Sequence, residues 1–340
     1  MKATPSRALS RFGGMASSCG LMRSRRNRFK RRNRAIDKSM RLAPFILLLT
    51  VLISNRSIGA QDAASAEDTL RGVVAYLASD RMQGRAAGSP EAEEVAYWLS
   101  EQFRLIGLQP VIGNTYDQAF SYWVGTQRIL ATNVVGMVGE GPVRLMVLAH
   151  YDHLRRGDIH SLEVFKDTVH NGADDNASGV AVLLRMARQL RTSQKGFGGV
   201  VFACLSGHED GLYGSKHLAT CWAKCLDEVK WVINLDMVGR LDDQQVPSAL
   251  IVRVPGLSIR SILTDLLPTT DQLRPVIKPS SSPLDDQVFF EKGIQTCTFS
   301  TGLHADYHLA SDDVDKLNYK GMGLVSEYIY QFLERIWGER

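Results

Sequence analysis

The sequence predicts an α/β protein, a single domain with a central, mostly parallel mixed sheet flanked by helices. Three observations carry that reading. Short apolar runs rich in β-branched residues alternate with longer stretches of helical apolar spacing, the rhythm of a sheet whose crossovers are helices. Polar residues suited to chemistry stand at the ends of those runs and not inside them, where open α/β sheets build their sites. The 340 residues show no repeat, no low-complexity tract and no obvious second domain.

Residues 1–60 read as a leader. They hold 14 of the 40 Lys/Arg and one of the 36 acids, Asp37, so the remainder carries 26 bases against 35 acids. The acidic body gives no support to nucleic-acid binding, despite a net charge of +4 for the whole chain. Arg23 to Arg34 is densely basic, Leu42 to Ile53 is apolar, and Ile58-Gly59-Ala60 supplies small residues before Gln61. That order describes a secretory signal peptide cleaved near Ala60, with Met40 as an alternative start. The 12-residue apolar run is short for a bilayer span, so no stable membrane anchor is expected. The expected destination is the periplasm or the extracellular medium. Of the cysteines outside the leader, Cys204 and Cys297 lie in apolar runs and read as buried hydrophobes. Cys221 and Cys225 leave open a bridge across one helical turn, and no spacing matches a Cys-based zinc site.

Residues 61–67 read as a short polar linker, with the domain proper at 68–340. Ser89-Pro90 followed by Glu91 and Glu93 marks a helix N-terminus: a cap, a proline in the first turn, and acids at the positive dipole end. Gly107 stops that helix. Strands are expected at Asn133–Val138, Arg144–Ala149, Gly199–Leu205, Trp231–Leu235, Leu250–Val254 and Thr296–Ser300. Helices are expected at Ser178–Leu190, Leu212–Cys221, Leu257–Leu267 and Tyr319–Trp337.

The residues at the strand ends form motifs. They are Ala149-His150-Tyr151-Asp152-His153, Asn171-Gly172-Ala173-Asp174-Asp175-Asn176-Ala177-Ser178-Gly179, and Gly207-His208-Glu209-Asp210-Gly211-Leu212-Tyr213-Gly214-Ser215. Asn234-Leu235-Asp236-Met237 and Asp306-Tyr307-His308 complete the set. Imidazole nitrogens mixed with carboxylate oxygens are the donors zinc prefers. Two histidines and three carboxylates suffice for two ions if one carboxylate bridges. His208-Glu209 is not a zincin helix, because Leu212 stands where the second His would be. The chain has no Gly-x-Ser-x-Gly elbow and no phosphate-binding Gly-Lys-Ser/Thr loop.

These motifs resemble metallopeptidase family twenty-eight, the co-catalytic zinc exopeptidases that include bacterial leucyl aminopeptidases, glutamate carboxypeptidases and, more distantly, glutaminyl cyclases. The resemblance runs from about Leu77 to Lys316 and includes Leu77-Ala78-Ser79-Asp80 and Gly84-Arg85. It implies the zinc exopeptidase (phosphorylase/hydrolase-like) fold and two Zn2+ with Asp175 bridging. It assigns His150, Asp175 and His308 to one ion, and Asp175, Glu209 and Asp236 to the other. Asp152 would orient the His150 imidazole, and a cis peptide would follow Asp175. The implied activity is aminopeptidase cleavage of peptides by a metal-activated water.

One position departs from the family. The general-base Glu is replaced by His208, while the ligand position keeps Glu209. An imidazole of ordinary pKa about 6.5 can take a proton from an activated water, though two nearby dications weaken it as a base. A register slip making Glu209 the base and Asp210 the ligand breaks the spacing to Gly211. Around these residues, His153, His170 and His304 read as pocket-wall or hydrogen-bonding groups, and His160 and His217 as surface. Asp174 reads as a turn former, and Asp285 and Asp286 as a solvated helix start or pocket rim. Tyr307 reads as wall packing or an oxyanion donor, and Arg240 as a surface salt bridge or a carboxylate binder. Three alternatives to the aminopeptidase stand. A carboxypeptidase needs a cationic pocket, for which Arg240, Arg155 and Arg156 are the candidates. A glutaminyl cyclase has no need of His150. A catalytically silent metal-binding module would follow from the loss of the Glu base.

Overall fold

The computed structural model describes residues 57–338 except 112, 164–166, 194–195, 197, 224–225, 243–247, 255–271 and 280–282. The basic and apolar parts of the leader, Cys225 and the expected helix Leu257–Leu267 lie outside the described residues. No helix among the described residues is long and apolar enough to cross a membrane.

Nine strands form one mixed sheet: β1 (Gln109–Pro110), β2 (Asp117–Val124), β3 (Gln127–Val138), β4 (Val143–His150), β5 (Gly199–Leu205), β6 (Trp231–Leu235), β7 (Ser248–Val254), β8 (Leu273–Pro279) and β9 (Gln295–Ser300). The order is β1-β3-β5-β4-β6-β9-β7-β8, with β2 paired to β3. At the centre β5, β4, β6 and β9 run parallel, whereas β3 and β7 are antiparallel to the neighbours that join them to this block. All six expected strands are present. β1, β2 and β8 are additional. β2 and β3 form a hairpin closed between Val124 and Gln127 by Gly125-Thr126, with Gly125 at a positive φ. β8 sits at the sheet edge, where Pro275 and Pro279 leave no interior ladder bond unmade.

The central strands are apolar on both faces because helices cover both. On β4, Leu145, Val147 and Ala149 join the core shared with α1 (Ser57–Leu77), α2 (Pro90–Ile106), α3 (Gly179–Thr192) and α6 (Tyr319–Gly338). Met146 and Leu148 point to the other face and meet Leu218 and Ala219 of α4 (Tyr213–Cys221) and Phe289 of the short α5 (Gln287–Phe290). The alternation repeats on β5, with Val200, Phe202 and Cys204 on one side and Val201, Ala203 and Leu205 on the other.

Helix α2 starts and stops as its sequence dictates. Ser89 Oγ accepts from Ala92 N at 3.1 Å, Pro90 is the first helical residue, and Gly107 closes the helix at φ 84°. The expected linker is a different matter. Residues 61–67 are helical, as part of α1. Their Ala-rich composition favours helix, and Leu70, Val74 and Leu77 farther along α1 anchor it in the core, so polarity alone misleads there. Cys204 and Cys297 are buried free thiols, as expected. Cys221 is also a free thiol, exposed, with its Sγ 3.3 Å from His217 Nε2.

Phe202 is fully buried at the middle of this stack. Phe202→Ala is expected to cost about 3–5 kcal/mol, read as a lowered urea midpoint. Leu130→Ala, at a side chain 59% exposed, is expected to stay within about 0.5 kcal/mol.

Candidate metal centre and its pocket

Four parallel strands deliver the site. β4 ends in His150, the turn after β5 carries His208 and Glu209, Asp236 follows β6, and the loop after β9 carries His308. The turn Ala173–Ser178, leading into α3, presents Asp175, and the Asp175–Asn176 peptide is cis. All lie beyond the carboxyl edge of the sheet.

The two oxygens of Asp175 face different partners. His150 Nε2 lies 3.3 Å from Oδ1 and His308 Nε2 lies 3.2 Å from Oδ2. His308 Nε2 is also 3.5 Å from Glu209 Oε2. Donor atoms of His150, His208 and Asp236 fall within 4.8 Å of one another, as do those of His150, Asp175 and Glu209. These distances divide the residues differently from the resemblance. His308 pairs with Glu209 on one side of Asp175, and His150 with Asp236 on the other, because the two imidazoles approach opposite carboxylate oxygens.

The surrounding bonds fix this geometry. Asp312 Oδ2 accepts from Asp174 N and Asp175 N at 2.9 and 3.0 Å. Asn176 donates to Leu235 O at 2.8 Å, and its Oδ1 accepts from Gly179 N and Met237 N, both at 3.1 Å. A Cβ on Gly179 would come within 2.3 Å of that Asn176 oxygen, so the site needs glycine there. Asp174 is a buried tie and more than a turn former: its Oδ1 accepts from Gly239 N at 2.6 Å and its Oδ2 lies 3.2 Å from His304 Nε2.

Asp152 works through the backbone. Its carboxylate accepts from His208 N and Glu209 N, both at 3.3 Å, and stands 3.8 Å from His150 Nδ1, beyond hydrogen-bond reach. The ring instead faces Asp152 O at 3.2 Å. Burial pushes the Asp152 carboxyl up to about 6. Burial also opposes ionisation of Asp175, yet the imidazoles of His150 and His308 hold it well below the ordinary range. His308, pulled down by burial, is carried up to about 9 by Asp175 and Glu209.

His208 stacks on His150, with centroids 3.7 Å apart, and its Nδ1 lies 2.8 Å from Asp285 Oδ2. Burial lowers the imidazole and the Asp285 charge more than reverses this, leaving His208 well above its ordinary value and Asp285 below its own. Asp285 is therefore no solvated helix start. It is fully buried at the foot of α5, placed there by a partner 77 residues away in sequence. Asp210 turns away from the centre and accepts from Tyr122 Oη at 2.6 Å, consistent with Glu209 as the inward carboxylate.

The remaining residues fall as follows. His153 Nδ1 lies 3.1 Å from Glu209 Oε1, and His170 Nε2 2.8 Å from Ser161 Oγ. His160 is exposed, but its carbonyl accepts from His308 Nδ1 at 2.8 Å. His217 is half-buried and not a surface residue, because its ring stacks on Phe120. Tyr307 stacks on His308, lines the pocket, and has its hydroxyl pKa raised by burial. Arg240 Nη2 donates to Asp306 Oδ2 at 2.8 Å and lies 3.4 Å from Asp312 Oδ1, and Arg156 pairs with Asp167. Sequence reasoning passed over Asp312 and Arg253, the latter a wall residue of the pocket that opens onto Asp175, His208 and Asp236.

Fold and donor set together define an α/β protein with a candidate metal centre at the carboxyl edge of its sheet. Peptidase family M28 matches residues 133–333, and the chain belongs to that family. The alkaline phosphatase isozyme conversion protein of Escherichia coli is 28% identical over 142 residues, 40% of this chain and 41% of that protein. A probable zinc metalloprotease of Pyricularia oryzae is 34% identical over 149 residues, 42% of this chain and 28% of its own length. The chain thus matches less than half the length of these curated relatives. Among solved structures, the Legionella pneumophila LapA aminopeptidase superposes with TM-score 0.64 at 20% identity, covering 82% of this chain and 75% of that one. A Fimbriiglobus ruber glutaminyl cyclase gives TM-score 0.65 at 20% identity, covering 79% and 95%. Both likenesses concern the fold.

Beneath the centre, the fully buried Arg85 donates to the carbonyls of Leu77, Tyr151, Asn171, Gly172 and Asp175. Arg85→Met strands these acceptors at about 1–3 kcal/mol for each one left unmet. It is expected to lower the urea midpoint sharply and to abolish metal uptake, measured by metal analysis of the purified variant.

Proposed function

We propose that the chain is an exported aminopeptidase that holds two zinc ions and removes single residues from peptides with free N-termini. The observation that carries the reading is the division of donors about Asp175, with His308 and Glu209 on one side and His150 and Asp236 on the other. The donor set fits zinc in kind. His150 Nε2 and Asp236 Oδ2 are also buried atoms without a hydrogen-bond partner, as ligand atoms awaiting an ion would be. Export rests on the leader's basic, apolar and small-residue order.

A bound zinc pair supplies a water acidified to near neutrality and polarisation of the scissile carbonyl. The protein's own residues do the rest. Asp152 and Asp312 fix the loops that carry Glu209 and Asp175. Asp285 holds His208 by Nδ1 and raises its pKa. Nearby dications would oppose that rise, and Nε2 of the neutral ring is then the atom that takes the proton from the attacking water and passes it to the leaving amine. Of the three arginines that a carboxypeptidase could use, Arg240 and Arg156 are engaged in internal pairs, whereas no ion pair is found for Arg155 among the described residues. One observation favours a second reading: His208 shares a donor cluster with His150 and Asp236, so ligation by His208 would make a silent, metal-stabilised module.

Two experiments test these statements. Chelation is expected to abolish cleavage of unblocked peptides and to lower Tm, and two equivalents of zinc should restore both. Saturation at one equivalent would overturn the paired-ion reading. His208→Ala is expected to lower kcat about 10²–10⁴-fold, with His208→Glu retaining turnover. A fully active His208→Ala, or an inactive His208→Glu, removes His208 from the base role.

A further inference from the structure

The pocket beside the candidate metal centre has a volume of about 150 Å³, and Asp175, His208 and Asp236 are among the residues that line it. Much of the rest of its wall is apolar or aromatic, with Met237, Leu284, Leu303 and Tyr307. Arg253 stands among these side chains. It lies on β7, an interior strand between β9 and β8, in register with Thr298, which also lines the pocket. Leu250, Val252 and Val254 of the same strand pack into the main core, so Arg253 projects to the opposite face.

Among the arginines placed at the centre, Arg253 is the one for which no counter-ion is found among the described residues. Arg85 is spent on backbone carbonyls, Arg156 on Asp167, and Arg240 on Asp306 and Asp312. Among the described residues, no carboxylate forms a hydrogen bond or ion pair with Arg253. A half-buried guanidinium in the wall of a pocket of mixed polar and apolar lining offers a rigid fork of donors matched to a carboxylate, and such pairs are strong where water is partly excluded. The pocket is smaller than the roughly 300–1,000 Å³ of typical ligand sites and suits one side chain better than a continuing peptide.

We propose that Arg253 is a specificity-determining residue that binds the side-chain carboxylate of an N-terminal Glu or Asp, making the enzyme selective for acidic N-termini. This rests on the aminopeptidase reading above, and its test separates the two.

The test compares kcat/KM for Glu-, Gln- and Leu-terminated peptides of otherwise identical sequence, each with a free and an amidated C-terminus, on the zinc-loaded full chain. The wild type is expected to prefer Glu over both Gln and Leu. Arg253→Met should reduce the Glu-to-Leu ratio about 10–10²-fold, the scale of a hydrogen bond to a charged group, and Arg253→Lys should recover part of it. In parallel, L-glutamate should raise the Tm of the zinc-loaded protein more than L-leucine does, and Arg253→Met should remove the difference. Three results overturn the proposal: no Glu preference in the wild type, a ratio unchanged in Arg253→Met, or an effect that follows the free C-terminus instead of the N-terminal side chain. If the wild type cleaves nothing yet shows the Arg253-dependent glutamate shift, the aminopeptidase reading fails and the carboxylate site stands.

Discussion

The structure turns on a buried cation whose hydrogen bonds all go to backbone carbonyls. Arg85 is fully buried, and burial lowers its pKa to about 10, still charged at neutral pH, with Asp175, Asp152, Asp312 and Glu209 opposing the fall. Its guanidinium meets carbonyls at the end of α1, just beyond β4, and in the turn before α3. A lone buried charge is costly, but one whose donors are all satisfied locks its neighbours in place, and removing it leaves acceptors that nothing else can reach. The positions of Asp175 and of the chain that follows His150 both depend on that lock.

Above it, the centre is built as a balance of charge. Asp175, Glu209 and Asp236 crowd together, and the imidazoles of His150, His153 and His308 interleave with them. Backbone N–H groups directed at Asp152 and Asp312 hold the loops at the spacing the carboxylates would otherwise resist. The layout separates tasks, with residues that face the cleft supported by residues that face the backbone.

The parallel heart of the sheet was readable because its strands are apolar on both faces and its crossovers carry helical spacing. The facing residues were readable because each belongs to a contiguous motif at a strand end. Asp285 and Asp312 were not, since their partners lie far away in sequence, as with the 138-residue separation of Asp312 from Asp174. Two neighbouring acids before an apolar stretch, as at Asp285-Asp286, look the same whether water or a buried imidazole receives them. The linker failed for a related reason: the polar surface of 61–67 says nothing of the apolar stripe farther along α1 that draws the segment into a helix. The β2–β3 hairpin carried a usable signal in Phe120 and Tyr122 alternating with polar residues about a Gly-containing turn.

The order of the strands has a kinetic consequence. The centre draws on segments from Leu77 to Asp312, and the contact of His308 with His160 alone spans 148 residues. Closing such separations is slow compared with forming local structure. The donor cluster therefore assembles only when β9 has docked against β6 and the chain beyond it has folded back. A nascent or partly unfolded chain presents these donors scattered, so any ion that the cluster holds would be captured late, once the fold is finished.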